Sequence, residues 1–500
     1  MALNLYNNFF VTDKNNDICL YLHNQEIFTY KQLDERVAQF CCFLREIGLS
    51  SGDRVIQQTS KSLDAFCLYL AVIRYGAIYV PLNPDFQFNE TVYFIEDAAP
   101  TLFVCDKKLF ESISLYLNQK ETRCFVCTLT VEGDGSIQTA IKDLPVTFQM
   151  TSENNSEIAC ILYTSGTTGK PKGAMLSHRN LLSNGMALAQ LWEIKSSDVL
   201  LHTLPIFHCH GLFFACHSLL LAGGKMIFLP KFDVDLVIEH LPHSTIFMGV
   251  HTYYSRLLAD TRVDRNLTKK IRVFISGSAP LLQKTFFDFE RRTGHKILER
   301  YGMTETGINT SNPFWGERIP ESVGLPLPEV ELRITNAEDA NIGLNKEGNI
   351  QIRGANIFLG YWGKDAQKQD HFTLDDYFRT GDIGIIKENG YVYILDRAKD
   401  LIISGGLNVY PKEIEDVINQ ISGVIESAVV GLQHHDFGET AVAVVVKEKD
   451  SNIQPEDIIK EVKQNLANYK VPKKVFFLDA LPRNPMGKIQ KNILRANLVY

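Results

Sequence analysis

An α/β fold with a large N-terminal unit and a small α+β C-terminal unit is what three features of the sequence predict. Short apolar runs alternate with amphipathic helical patterns over about the first 320 residues, as parallel strands covered by helices would. After about residue 320 the runs shorten and carry Gly and Asn-Gly turns, so a more antiparallel, β-barrel-like region is expected there. DRAKD at 396–400 is a charged break, and about a hundred residues follow it with a helix–strand–strand–helix pattern of their own. The expected division is therefore residues 1–396 and residues 397–500.

The elements follow in order. TYKQLDERVAQFCCFLREIG places Leu33, Val37, Phe40 and Leu44 three and four residues apart, the spacing of one helix face. DRVIQQT, LDAFCLYLAVIRYGA and IYVPLN then read as strand, helix and strand. TLFVCD, KMIFLP, STIFMGV and IRVFIS are further short apolar runs bounded by turn or helix signals. IACILY leads through a glycine-rich stretch to a helix starting near Ser177. ELRITN, GNIQIRGANIFLGYW and IGIIKENGYVYIL are the short strands of the antiparallel region. The last unit reads as a helix after Pro411 (KEIEDVINQI), strands ESAVVGL and TAVAVVVKE, and a helix PEDIIKEVKQNLANY.

Composition sets the class. The chain has 500 residues, 45% hydrophobic and 22% charged, which is ample for a large core. A formal net charge of -7 gives no bulk attraction to nucleic acid or an anionic membrane. The ten cysteines all fall between Cys19 and Cys216, a lopsided pattern unlike a disulfide framework. Cys124 and Cys127 form a CxxC pair without a second ligand pair, so they are read as two buried strand thiols. MALNLYNNFF lacks the basic and apolar regions of a secretory signal. FCLYLAVIRYGAIYVP is broken by Arg74 and Gly76 and is too short to span a bilayer. A soluble protein of a reducing cytoplasm is expected.

TSGTTGKPKG (164–173) has no apolar side chain and follows a strand. Backbone N–H groups freed by glycine, with hydroxyls and two lysines, suit an anionic phosphate. It is not a Walker motif: only Thr167 and Thr168 separate Gly166 from Gly169, and Pro171 stands where Ser or Thr would follow the lysine. Alone, a flexible surface loop explains it as well. Five further motifs accompany it: SGSAP (276–280), ERYGMTET (299–306), RTGDIG (379–384), DRAKDLIISGGLNVYP (396–411) and LPRNPMGKIQK (481–491). In these motifs and in their order the chain resembles the adenylate-forming acyl-CoA synthetases, the superfamily that includes luciferases and the adenylation domains of peptide synthetases. The resemblance runs over essentially the whole chain.

That resemblance implies roles. Thr164, Ser165, Gly166, Thr167, Thr168, Gly169 and Lys172 would hold the β- and γ-phosphates of ATP. Ser278, Ala279, Tyr301, Gly302 and Met303 would flank the adenine, and Asp382 and Arg397 would bind the ribose hydroxyls. Thr304 would meet the α-phosphate and Glu305 would hold Mg2+. Lys488 would neutralise the substrate carboxylate and the α-phosphate, which requires the small domain to be mobile about a hinge at Lys399. A second pose would bring Gly405 and Gly406 to the site and open a tunnel for the thiol of coenzyme A. A lysine acetyltransferase acting on Lys488 is the implied regulatory partner. Blander readings stand beside these: Glu305 as a helix cap, Asp382 as a turn residue, Lys488 as a solvated lysine.

Arg300 narrows the acid. The family usually has a small residue at this place, facing the acyl pocket, and a buried guanidinium needs an anionic partner. A second carboxylate on the substrate would supply one with bidentate geometry. His208, His210, Ser276 and Ser278 would complete a small polar pocket. PIFHCHGLF, MIFLPKFD, LERYGMTET and NTSNP together resemble the malonyl-CoA synthetases, which implies malonate, ATP and coenzyme A as substrates. The alternatives are a structural ion pair of Arg300 with Glu299 or Glu305, a broader short-chain or aryl carboxylic acid–CoA ligase, a ligase serving a carrier protein, or a non-catalytic nucleotide-binding protein.

Overall fold

The first strand–helix–strand unit forms as its periodicity predicts. Thr29 caps the helix Tyr30–Glu46, accepting from the Gln32 N–H while its own N–H donates to the Gln32 side chain. Leu33, Val37, Phe40 and Leu44 are all buried. The strand Arg54–Gln58 follows, then the helix Leu63–Tyr75, which starts at a Ser62 cap and stops at Gly76 in the left-handed region at φ +80°. Strand Ile78–Pro81 pairs parallel with Arg54–Gln58. The computed structural model describes residues 4–10, 15–149, 156–164, 171–363, 371–397, 400–404, 407–434, 438–466, 468–484 and 487–498.

Two large sheets, counted among the described residues, carry the N-terminal part. The six-stranded one runs Phe125–Thr128, Leu102–Cys105, Arg54–Gln58, Ile78–Pro81, Ile158–Thr164, Lys172–Ser177. Its first five strands are parallel, and the last turns back antiparallel so that Thr164 pairs with Lys172. The nine-stranded sheet contains the parallel run Lys225–Phe228, Val199–His202, Ile246–Gly249, Val273–Ser276, Leu298–Met303, continued antiparallel by Gly307–Ser311. Helices fill the space between the sheets. One core joins Val55 and Val104 of the first sheet, Leu200 and Met226 of the second, and Phe40, Phe66 and Leu188 of the helices. Ser177 caps the helix His178–Leu191, where the sequence places a start.

Past residue 320 the strands Val330–Thr335, Gly348–Gly354, Phe378–Ile386 and Val392–Arg397 form an antiparallel sheet. The barrel-like expectation is corrected here: among the described residues the two outer strands do not meet, so the sheet stays open. The smaller C-terminal domain follows. Its strands Val424–His434 and Gly438–Lys447 pair antiparallel and are buried on both faces. Val429, Ala443 and Val445 pack under the helices Pro411–Ile418 and Pro455–Asn465, while Val430, Val442 and Val444 pack with Leu494 of the helix Lys491–Asn497. Double burial explains the near-continuous apolar runs there. Cys124 and Cys127 are half-buried, not buried, because they sit at the outermost strand of their sheet.

Candidate active site

Parallel strands of the nine-stranded sheet end at a common edge, where open α/β sheets bind ligands. SGSAP leaves the strand Val273–Ser276 with Ser278 at φ +71°, a strained value for serine. A cavity of about 280 Å³ opens there, lined among others by Ser278, Ala279, Tyr301, Gly302, Asp382, Arg397 and Lys488. The structure thus brings Lys488 and all the predicted adenine and ribose residues but Met303 to one cavity, while Thr304 and Glu305 do not line it.

Among the predicted ribose residues, Arg397 Nε lies 2.6 Å from Asp382 Oδ1, and the Tyr301 hydroxyl donates to Asp382 Oδ2. Asp382 is 1% exposed. It is a strand residue and not a turn residue: Gly381 at φ +71° kinks the strand Phe378–Ile386 without ending it. The predicted phosphate and Mg2+ residues Thr304 and Glu305 sit in the turn joining Leu298–Met303 to Gly307–Ser311. No helix starts there, so the capping alternative for Glu305 falls. Its Oε1 accepts from the Tyr361 hydroxyl at 2.9 Å and from Thr164 Oγ1 at 3.4 Å. A buried carboxylate beside a threonine hydroxyl is a hard oxygen set of the kind Mg2+ takes. Lys172 Nζ lies 5.2 Å from the Tyr361 ring. Ser165, Gly166, Thr167, Thr168 and Gly169, the predicted hinge residue Lys399, and Gly405 and Gly406 lie outside the described residues. Among the described residues no group of three or more His, Cys, Asp or Glu side chains is placed to hold a metal by itself.

Arg300 is 4% exposed, and its Nε and Nη2 have no partner among the described residues. No ion pair with Glu299 or Glu305 forms. Its guanidinium stands 5.4 Å from the Phe214 ring, and burial draws its pKa down to about 10. Gly277 makes the room: a Cβ there would lie 2.3 Å from Arg300 Cζ. His210 is buried, with Nδ1 3.1 Å from Ser278 Oγ and Nε2 unpartnered. Burial, and next the charge of Arg300, hold it well below the ordinary histidine value, hence neutral. His208 is half-buried, packs on Phe207, and is drawn down to about 4 by burial. Ser276 does not join this group. It pairs in register with Glu299, and strand alternation turns both side chains to the face opposite Arg300.

Two features lie beyond the motif reading. Glu299, weighed there only as an ion-pair partner, is 5% exposed and lines the cavity. Its Oε1 accepts from the Leu281 N–H at 3.2 Å, Oε2 is unpartnered, and burial pushes it up to about 7. Alternation within LERYGM signals it, since Glu299 and Tyr301 must share a face that Arg300 does not. His210 to His217 form a π-helical segment, for which HGLFFACH gives no sequence signal.

Arg483, Lys488 and Ile489 line the same cavity. Arg483 and Ile489 bridge antiparallel, and the Lys488 N–H donates to Asn484 Oδ1 at 2.9 Å. A Cβ on Gly487 would lie 3.4 Å from Thr252 Oγ1, so the hairpin rests against the helix His251–Ala259 of the large domain. Lys488 itself is exposed, at the cavity mouth.

The model of the AMP-binding enzyme family matches residues 10–362, and that of its C-terminal domain matches residues 413–488. The chain belongs to the AMP-binding enzyme family. This bears out the superfamily that the six motifs imply. Among family members, the malonate–CoA ligase of Arabidopsis thaliana is 33% identical over 454 residues, covering 85% of this chain and 74% of its own. A long-chain-fatty-acid–CoA ligase of Bacillus subtilis is 31% identical over 503 residues, covering 93% and 89%. ATP-bound MatB from Rhodopseudomonas palustris superposes at a TM-score of 0.96 with 44% identity and 99% of both chains covered. The apo form of MatB superposes at 0.86.

Proposed function

We propose that the protein ligates malonate to coenzyme A through malonyl-AMP, releasing AMP and pyrophosphate. The observation that carries this reading is Arg300, a buried guanidinium with two unpartnered nitrogens beside the neutral His210. A monocarboxylate would leave that charge desolvated and alone, whereas a second carboxylate pairs with it. The malonate–CoA ligase among the relatives supports the same acid; the long-chain ligase among them is the competing comparison.

In the first half-reaction a malonate oxygen attacks the α-phosphorus of ATP. The bond to the β-phosphate breaks and pyrophosphate leaves. Lys488 and Thr304 neutralise and orient the α-phosphate and the attacking carboxylate. Asp382, tied by Arg397 and Tyr301, accepts from the ribose hydroxyls, and Ser278, Ala279, Tyr301, Gly302 and Met303 enclose the base. The loop 164–172 retains the departing pyrophosphate. Bound Mg2+, held by Glu305, would spread the phosphate charge. In the second half-reaction the coenzyme A thiolate attacks the activated carbonyl, a C–S bond forms, and AMP leaves. For this the domain after residue 396 rotates about Lys399 and presents Gly405 and Gly406. All ten cysteines are unpaired, which suits a reducing cytoplasm.

Pyrophosphate release with malonate, methylmalonate, acetate and octanoate, each with and without coenzyme A, tests the reading. Malonate-dependent release and malonyl-CoA formation are expected. Turnover of octanoate or acetate above malonate would replace it with a broader acid–CoA ligase.

A further inference from the structure

The π-helical segment that carries His210 and Phe214 to the pocket is pinned at both ends to one stretch of chain, residues 61–75. At its far end His217 Nε2 lies 2.7 Å from the hydroxyl of Tyr69, in the helix Leu63–Tyr75. At its near end the link is indirect. Lys61 Nζ lies 2.7 Å from His202 Nδ1 and 3.0 Å from the His202 carbonyl, and 4.2 Å from the Phe228 ring. An ammonium has only N–H donors, so Nδ1 must accept and the imidazole proton sits on Nε2. Nε2 then donates to the Gly211 carbonyl at 2.8 Å, where the Cys216 thiol also donates at 3.2 Å. Gly211 is the residue after His210. It packs so closely that a Cβ would lie 2.1 Å from the Pro205 carbonyl oxygen, so the segment cannot slide there without losing this fit.

We infer that Lys61, acting through His202, is a positioning residue for the carboxylate pocket. It fixes the His202 tautomer, and His202 fixes the register at which the π-helical segment sets His210 and Phe214 against Arg300. Lys61 is remote from the nucleotide end: none of its partners lines the cavity of Ser278, Tyr301 and Asp382. The inference rests on the proposed reading of Arg300 as the carboxylate partner.

The test is a double-mutant cycle in the full chain with Lys61→Met, His202→Leu and the pair, assayed below pH 7, the value to which burial draws the Lys61 ammonium. Loss of one buried hydrogen bond predicts a malonate KM raised roughly tenfold by Lys61→Met, with kcat and the ATP KM nearly unchanged. The pair should be no worse than His202→Leu alone, because Lys61 works through it. Multiplying effects in the pair, an unchanged malonate KM, or equal rises for malonate and ATP each overturn the inference. Should Lys61→Met fail to fold, His202→Leu carries the same KM split. If wild-type enzyme prefers another acid, the function reading fails, and the same cycle run with that acid still decides whether Lys61 and His202 are coupled.

Discussion

At the scale of single residues, Arg300 and Glu299 are buried with polar atoms left unpartnered among the described residues. Arg300 is the clearest, since its desolvation is offset only when an anion arrives. Arg300→Ala should lower kcat/KM for malonate by about 2–5 kcal/mol in transition-state terms, roughly 30-fold to several thousand-fold, and that for acetate far less. Equal losses would make Arg300 structural. Glu299 poses the converse case. Burial lifts it from 4.5 to about 7, with Lys412 opposing the shift and Glu321 and Asp416 adding to it. Between those two values the folded chain keeps the proton and the unfolded chain has lost it. Stability therefore falls as pH rises through the window, and the full penalty, of the order of 3 kcal/mol, stands above pH 7. Glu299→Gln should raise Tm at pH about 8 and leave it nearly unchanged at pH about 4.5, measured by calorimetry without nucleotide. A gain independent of pH would show that the carboxyl is not buried in its charged form.

At the scale of elements, what could be read from the sequence depended on whether the signal was periodic or tertiary. The helix Tyr30–Glu46 and the flanking strands are written in 3.6 and short apolar periods. The motif loops are written in glycine and hydroxyl residues. Asp382 was not legible as a strand residue, because Gly381 reads as a turn and only pairing across the sheet shows that the strand continues. The open sheet past 320 was legible as antiparallel but not in its closure, which depends on whether distant edges meet. The pairing of Gly277 with Arg300 was likewise out of reach, being a contact between neighbouring strands. It carries a prediction of its own. A Cβ at Gly277 would stand 2.3 Å from Arg300 Cζ, so Gly277→Ala must displace the guanidinium. Tm should fall by the equivalent of about 1–3 kcal/mol of overpacking, and the malonate KM should rise more than the ATP KM. A KM rise equal for both substrates would place the damage in the nucleotide cavity instead.

At the scale of the whole molecule, Lys488 stands at the cavity mouth, the placement that the proposed first half-reaction needs. Superposition is closer on ATP-bound MatB than on apo MatB, 0.96 against 0.86 at the same 44% identity. In this pose the 483–489 hairpin rests on Thr252 and sets Lys488 at the mouth shared by Tyr301 and Asp382. Lys488 is exposed and far in sequence from the rest of the site, so in the proposed mechanism it acts on the α-phosphate only while the domains stay closed. In the proposed second half-reaction the thiol must reach the carbonyl from which AMP departs. Lys488 is therefore proposed to serve the first half-reaction and not the second. Lys488→Ala should reduce malonate-dependent pyrophosphate release by about 10²–10³, the loss typical of one preorganised charge at a transition state. Thioester formation from supplied malonyl-AMP and coenzyme A should persist at nearly the wild-type rate. Stopped-assay measurement of both partial reactions on one preparation distinguishes the outcomes: equal loss of the two would mean that Lys488 holds the domains together and does not serve the adenylation step.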